Sequence, residues 1–266
     1  NRALFEAGKI ADIHNRDHFL ENIRKSAFWQ APVQGHLSAF KAGARALILC
    51  NPSNPTGKVF SPEELQTIAN FALEFDAYVI TDEVYEHIVF DDEPFHSLLG
   101  HAELRERSFV VSSFGKTVHA TGWKIGYCAA PPALTREFRK VHQFTTFAVS
   151  TPMQLGIADF LTEQPDWCAR LPALYQQKRD LFCRLLGPSR FRWQPARSTF
   201  FQILDYGDIT DDPDTALAER WTRDIGVASI PLSVFCASPF TGTRLRFCFA
   251  KDDATLEEAA RRLSAI

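Results

Sequence analysis

The sequence lacks several things that would have assigned it quickly. It has one methionine, no closely spaced pair of cysteines, no surplus of positive charge, and no apolar run approaching the roughly 20 residues that cross a bilayer. Without such a run no membrane-spanning helix is expected, and the opening NRALFEAGKI is not an apolar secretory segment. The formal net charge of −3 and sequence pI near 6.3 argue against a nucleic-acid binder, which carries a basic surplus to neutralise phosphates. The six cysteines, Cys50, Cys128, Cys168, Cys183, Cys236 and Cys248, are scattered, whereas zinc needs clustered Cys or His ligands, so no metal site is expected. Several lie in apolar stretches (ALILC, GYCAAP, LRFCFA), and we read them as reduced, buried thiols of a cytoplasmic protein.

What is present is an ordinary globular mixture: 266 residues, 45% hydrophobic and 23% charged, enough for one large domain or two modest ones. The 23 phenylalanines are an unusual way to fill a core and point to no function. Residue 1 is Asn rather than Met, so the natural start is expected to lie outside this sequence.

From Ala44 onward short apolar runs alternate with amphipathic stretches. Ala46 to Cys50 reads as a buried strand ending in the turn NPSNPTG. Ser61-Pro62-Glu63-Glu64 then opens a helix to about Phe75, with Ser61 as N-cap, Pro62 in the first turn and Glu64 at the capping-box position. Tyr78 to Thr81, Phe109 to Ser113 and Ile125 to Ala130 follow as strands. Strands separated by helices, each closing on a polar turn, indicate a parallel sheet in an α/β domain, whose ligands bind beyond the carboxyl ends of the strands. After Pro131-Pro132 the texture changes. Helices are expected over 133–161 and 171–186, strands over 191–193, 199–204, 227–230 and 244–249, and a last helix over 255–263. This reads as a second, smaller α+β domain. Residues 1–40 show no clear strand.

Three strand ends carry the chemistry. The turn Asn51 to Gly57 places two Asn-Pro steps in seven residues, which fixes the backbone. Gly57-Lys58 tempts a phosphate-loop reading, but that motif needs Gly at 52 and Ser or Thr at 59, and the sequence has Pro52 and Val59. Thr81-Asp82-Glu83-Val84-Tyr85 sets acids directly after a buried strand, which is costly unless they meet a cation or hydrogen-bond donors. Asp82 there either faces a ligand or caps a helix. The third stretch, SSFGKTVHATGWKIGY at 112–127, holds two of only nine lysines among glycines and hydroxyls. A desolvated lysine at a strand end is a nucleophile that can condense with a carbonyl, although an isolated lysine is ordinarily a surface residue.

Together NPSNPTG at 51–57, TDEVYEH at 81–87, the 112–127 stretch and RLRFCFAK at 244–251 resemble the fold-type I pyridoxal-phosphate enzymes, the class I/II aminotransferases. IPLSVFCASPF at 230–240 looks like the methionine, glutamine and kynurenine aminotransferase branch. The resemblance covers about residues 44–266. It implies residues 1–155 as a partial cofactor-binding large domain with a mostly parallel sheet, and residues 156–266 as the small C-terminal domain. It implies pyridoxal 5'-phosphate in a Schiff base on Lys116, with Asp82 pairing with the pyridine nitrogen. Tyr85 and Asn54 would bond the phenolic oxygen, and Ser113 and Lys124 the phosphate. Many relatives have Arg where Lys124 stands; Lys keeps the charge and loses the fork. Arg246 matches the arginine that clamps the substrate carboxylate. Strand alternation puts Arg244 on the same face, so only motif register separates the two.

The implied activity is transfer of an amino group from a neutral, sulfur-containing or aromatic L-amino acid to a 2-oxo acid. The alternatives are a non-catalytic aminotransferase-like fragment or a C–S lyase of the same fold. Members of this family are usually homodimers, and neither nucleic acid nor membrane is an expected partner. They are also longer on the N-terminal side, where they carry a glycine-containing phosphate turn and a ring that stacks on the pyridine; residues 1–40 align with neither. Trp123 is expected to be structural, Tyr127 wall or core, His119 and His87 local hydrogen-bonding groups, and Glu83 a helix-start or partner-facing acid. The phenylalanines of QFTTF (143–147) and RSTFF (197–201) are expected mostly in the core.

Overall fold

The computed structural model describes residues 10–12, 41, 43–236 and 242–266. The expected lack of a phosphate turn in residues 1–40 otherwise lies outside the described residues. The chain divides into two compact units, the first comprising Asn1–Pro52, Phe60–His87 and Pro94–Ala169, the second Ser53–Val59, Ile88–Glu93 and Arg170–Ile266.

The first unit is built on strands β1 (Ile10–Asp12), β2 (Ala46–Cys50), β3 (Tyr78–Asp82), β4 (Ser108–Ser113) and β5 (Gly126–Ala129), lying side by side in that order. The first four are parallel and β5 runs antiparallel to β4. Helix α1 (Pro62–Glu74) joins β2 to β3. Its start is the expected capping box: Ser61 Oγ accepts from Glu64 N (3.3 Å) while Glu64 Oε2 accepts from Ser61 N (2.7 Å). Leu65, Ile68, Ala69 and Ala72 recur at helical spacing and pack with Leu47 and Val79 of the sheet. The one-turn helix α2 (Ala102–Arg105) precedes β4. Between β4 and β5 stand only the one-turn helix α3 (Phe114–Thr117) and a 3-10 turn, Thr121–Trp123, too little chain for a crossover, so β5 returns antiparallel. The approach is close: a Cβ on Gly126 would meet Ser112 O at 2.4 Å. Helices α4 (Pro132–Thr145) and α5 (Thr151–Glu163) follow.

Helix α6 (Trp167–Leu185) carries the chain into the second unit. There β6 (Phe201–Asp205), β7 (Ile230–Pro231) and β8 (Arg244–Cys248) form an antiparallel sheet with β8 in the centre. Helices α7 (Asp214–Asp224) and α8 (Asp253–Leu263) complete the unit, whose core holds Tyr206, Leu217, Trp221, Leu245 and Phe249. Arg179 of α6, 3% exposed, stands over the Phe90 ring and binds both oxygens of Asp91 at 2.5 and 2.8 Å. The α/β class and the smaller α+β unit agree with the sequence reading.

Four local expectations are corrected. Ile10–Asp12 forms a strand paired with β2, too short to show a period. Residues 191–193 make only a bridge, Arg192 with Asp205, and Pro195 just beyond has no N–H to extend it. The strand expected over 227–230 is limited to Ile230–Pro231, where Pro231 likewise gives no donor. Phe144 and Phe147 are 85% and 82% exposed: Phe144 is on α4, which buries no side chain, and Phe147 lies beyond its end with φ of 63°. Among the cysteines Cys50 is buried and the other five are partly exposed, all as free thiols.

Candidate active site

The polar strand ends build two constellations, one in each unit. In the first, the register Cys50 with Asp82 carries Asp82 to the carboxyl end of β3. It is exposed there and accepts the Val84 N–H through Oδ1 at 3.1 Å, an Asx turn rather than a helix cap. That turn brings the chain back so that Tyr85 is buried. Lys116 lies on α3, and its Nζ stands 6.0 Å from the centre of the Tyr85 ring. Ser113 caps α3, accepting from Gly115 N at 3.1 Å and donating to Ile125 O at 3.3 Å. Lys124 is exposed and left-handed, with φ of 56°. Amine, carboxylate, phenol, hydroxyl and second amine thus come from three adjacent strand ends of one sheet.

A carboxylate ties these segments together. Glu86 Oε1 accepts from Ser112 Oγ at 2.7 Å and from Tyr127 OH at 2.6 Å. Burial, then the bond to Glu86, pushes the Tyr127 phenol up to about 12. Glu83, 1% exposed, accepts from Leu98 N at 3.0 Å, and burial pushes its carboxyl up to about 7 against the pull of its hydrogen bonds. In the sequence Glu83 reads as a helix-start or partner-facing acid, and Glu86 is not singled out within TDEVYEH. Trp167 donates Nε1–H to Thr117 O at 2.6 Å and meets His119 edge-on at 5.4 Å between ring centres. Burial holds the His119 imidazole below its usual value. Trp123 is exposed, with its ring against Gly156.

In the second unit the turn Ser53–Val59 closes on itself through Gly57 N to Ser53 O (2.7 Å) and Ser53 N to Lys58 O (2.8 Å). Gly57 has φ of 69°, and Ser198 Oγ donates to its carbonyl at 2.8 Å. So held, Asn54 accepts through Oδ1 from Arg246 Nη1. The Arg246 guanidinium lies 4.0 Å from the Phe201 ring centre and 5.2 Å from that of Phe235. Arg244, on the same face of β8, is buried with its Nε 3.7 Å from Asp205 Oδ2. The two arginines that motif register alone separated therefore have different surroundings: Asp205 for Arg244, Asn54 and two aromatic rings for Arg246.

Residues 19–263 match the profile of the family described as aminotransferase class I and II. The chain is 45% identical over 219 residues to methionine aminotransferase of Escherichia coli, across 82% of this chain and 57% of that protein. It is 31% identical to human kynurenine–oxoglutarate transaminase 1, across 98% of this chain and 66% of that protein. Among solved structures, an Escherichia coli protein with a methionine aminotransferase function matches with TM-score 0.84 and 43% identity, over 88% of this chain and 62% of that one. N-succinyldiaminopimelate aminotransferase of Mycobacterium tuberculosis matches with TM-score 0.83 and 35% identity, over 88% and 61%. The chain thus spans about three fifths of the length of these relatives.

Proposed function

The chain belongs to the class I and II aminotransferases, and from that membership we propose that it moves an amino group from a neutral, sulfur-containing or aromatic L-amino acid to a 2-oxo acid, using pyridoxal 5'-phosphate. The observation that carries the reading is the convergence of Lys116, Tyr85 and Asp82 at adjacent strand ends of one sheet. The donor set suits the cofactor part by part. An exposed carboxylate suits a pyridinium nitrogen, a phenol its ring oxygen, an amine its aldehyde, and a hydroxyl with a cation its phosphate. When bound, the cofactor supplies an electron sink for the charge that develops on the substrate α-carbon.

The chain's own residues do the rest. Lys116 Nζ would take the proton from the substrate α-carbon and hold it for return to the carbon on the far side of the amino nitrogen. Asp82 would pair with the ring nitrogen and favour its protonated form. Ser113, whose Oγ donates to Ile125 O, and Lys124 would hold the phosphate, the lysine adding charge. From family membership Asn54 would bond the ring oxygen and Arg246 the substrate carboxylate, the planar fork of Arg246 matching two carboxylate oxygens. We assign the first unit as the partial cofactor-binding domain and the second as the small domain. Exposed Phe144, Phe147 and Leu155 support association with a second copy. Scattered, unclustered thiols support a cytoplasmic setting.

The test adds pyridoxal 5'-phosphate, reduces with borohydride and maps the modified peptide, then assays methionine with a 2-oxo acid. The expected label is on Lys116, and the expected products are a new amino acid and a new 2-oxo acid. A label elsewhere sinks the assignment of Lys116. Ammonia with a thiol would identify a lyase, and a labelled but inactive chain would leave a fragment that binds cofactor.

A further inference from the structure

Arg246 and its two rings differ in how they are held. Phe201 is on β6, hydrogen-bonded to β8 along its length, so the sheet itself fixes that ring. Phe235 is on no strand. It ends the 3-10 turn Leu232–Phe235, and its place depends on whatever anchors that turn. One anchor is Leu232, fully buried. The other is a two-point grip by Asp214, 5% exposed at the start of α7: Oδ2 accepts from Ser233 N at 2.8 Å and Oδ1 from Ser233 Oγ at 2.7 Å. Both carboxylate oxygens of a buried acid go to one residue of the turn. Two bonds to one residue fix the turn's rotation as well as its position.

We propose that Asp214 and Ser233 are positioning residues for substrate recognition: by pinning the turn they hold the Phe235 ring against the guanidinium of Arg246 and so fix the direction in which its fork meets a carboxylate. The inference rests on the reading of Arg246 as the carboxylate-binding arginine. An arginine side chain has many rotamers, and a fork binds two oxygens only in one plane. A guanidinium flanked by two aromatic faces has that plane chosen in advance, with an added attraction between cation and ring.

The experiment measures, by calorimetry on the cofactor-loaded chain, the affinity for 3-phenylpropanoate and for its neutral amide. The wild-type chain is expected to prefer the carboxylate. Ser233→Ala, Asp214→Asn and Phe235→Leu are each expected to weaken carboxylate binding about five- to tenfold and leave amide binding unchanged, with Phe235→Tyr restoring it. Melting temperatures and cofactor affinity, measured on the same samples, confirm that the variants are folded. Unchanged carboxylate affinity in Ser233→Ala and Asp214→Asn overturns the inference, as does equal loss for acid and amide. A wild-type chain with no preference for the carboxylate overturns the reading of Arg246 itself, and the inference with it.

Discussion

Glu83 Oε1 accepts the backbone N–H of Leu98 across 3.0 Å, and in that burial its carboxyl titrates at about 7 instead of 4.5. Between those two values the folded chain keeps a proton that the unfolded chain has lost. The stability from this group is therefore complete below about 4.5 and is lost as pH rises through 7, a swing of about 3 kcal/mol. Glu83→Gln keeps an acceptor and removes the titration. Denaturant unfolding of both proteins from pH 5 to 8 is expected to show the variant gaining on the wild type as pH rises; parallel profiles would contradict the burial argument.

Asp82 is expected to matter more to chemistry than to folding, since it is exposed at the end of β3 and its Oδ1 accepts from Val84 N, two residues on. Asp82→Asn should cut kcat by about 10²-fold or more, as for loss of one preorganised charge, with the melting temperature nearly unchanged. Steady-state transamination and a melt on the same sample check both halves.

Arg246→Lys keeps the charge and removes the fork. KM for the amino acid should rise about 10- to 100-fold, the size of a charge-assisted hydrogen bond, while cofactor affinity holds. The same change at Arg244, which faces Asp205, should instead appear as lost stability. A KM effect at Arg244 with none at Arg246 would reverse the assignment.

Arg179 clamps Asp91 and also donates to Ala196 O at 2.9 Å from a buried position. Arg179→Leu leaves that carbonyl unsatisfied and should cost about 2 kcal/mol in denaturant unfolding. Arg45→Ala, which breaks the exposed pair with Asp76, should cost less than about 0.5 kcal/mol.

Much of the first unit was legible because its signals are local. The capping box at Ser61, the apolar strand ALILC and the polar ends of β3 and β4 each state their structure within a few residues. The proposed site residues are singled out for the same reason, as they sit in short strings at strand ends. What was hidden depends on partners far along the chain. Glu83 reads as a helix-start or partner-facing acid in its own string, and its bond to Leu98, fifteen residues on, shows it buried. Phe144 looks like a core residue in any window, yet α4 buries no side chain; Phe147, past the end of that helix, is exposed on a left-handed backbone. Arg244 and Arg246 share a face by alternation, and only Asp205, on the neighbouring strand, separates them.

Lys124 holds a left-handed backbone, φ 56° and ψ 40°, that glycine would adopt without cost and a side chain pays about 1 kcal/mol to keep. Glycine at that position should therefore raise the melting temperature and lower the affinity for a phosphate-bearing cofactor in one step. A laboratory selection for heat resistance alone would favour it, whereas one for cofactor retention would reject it. On the proposed role of Lys124, robustness and cofactor retention pull an evolving sequence in opposite directions, and a library screened for both should keep lysine or arginine at the expense of the easier backbone.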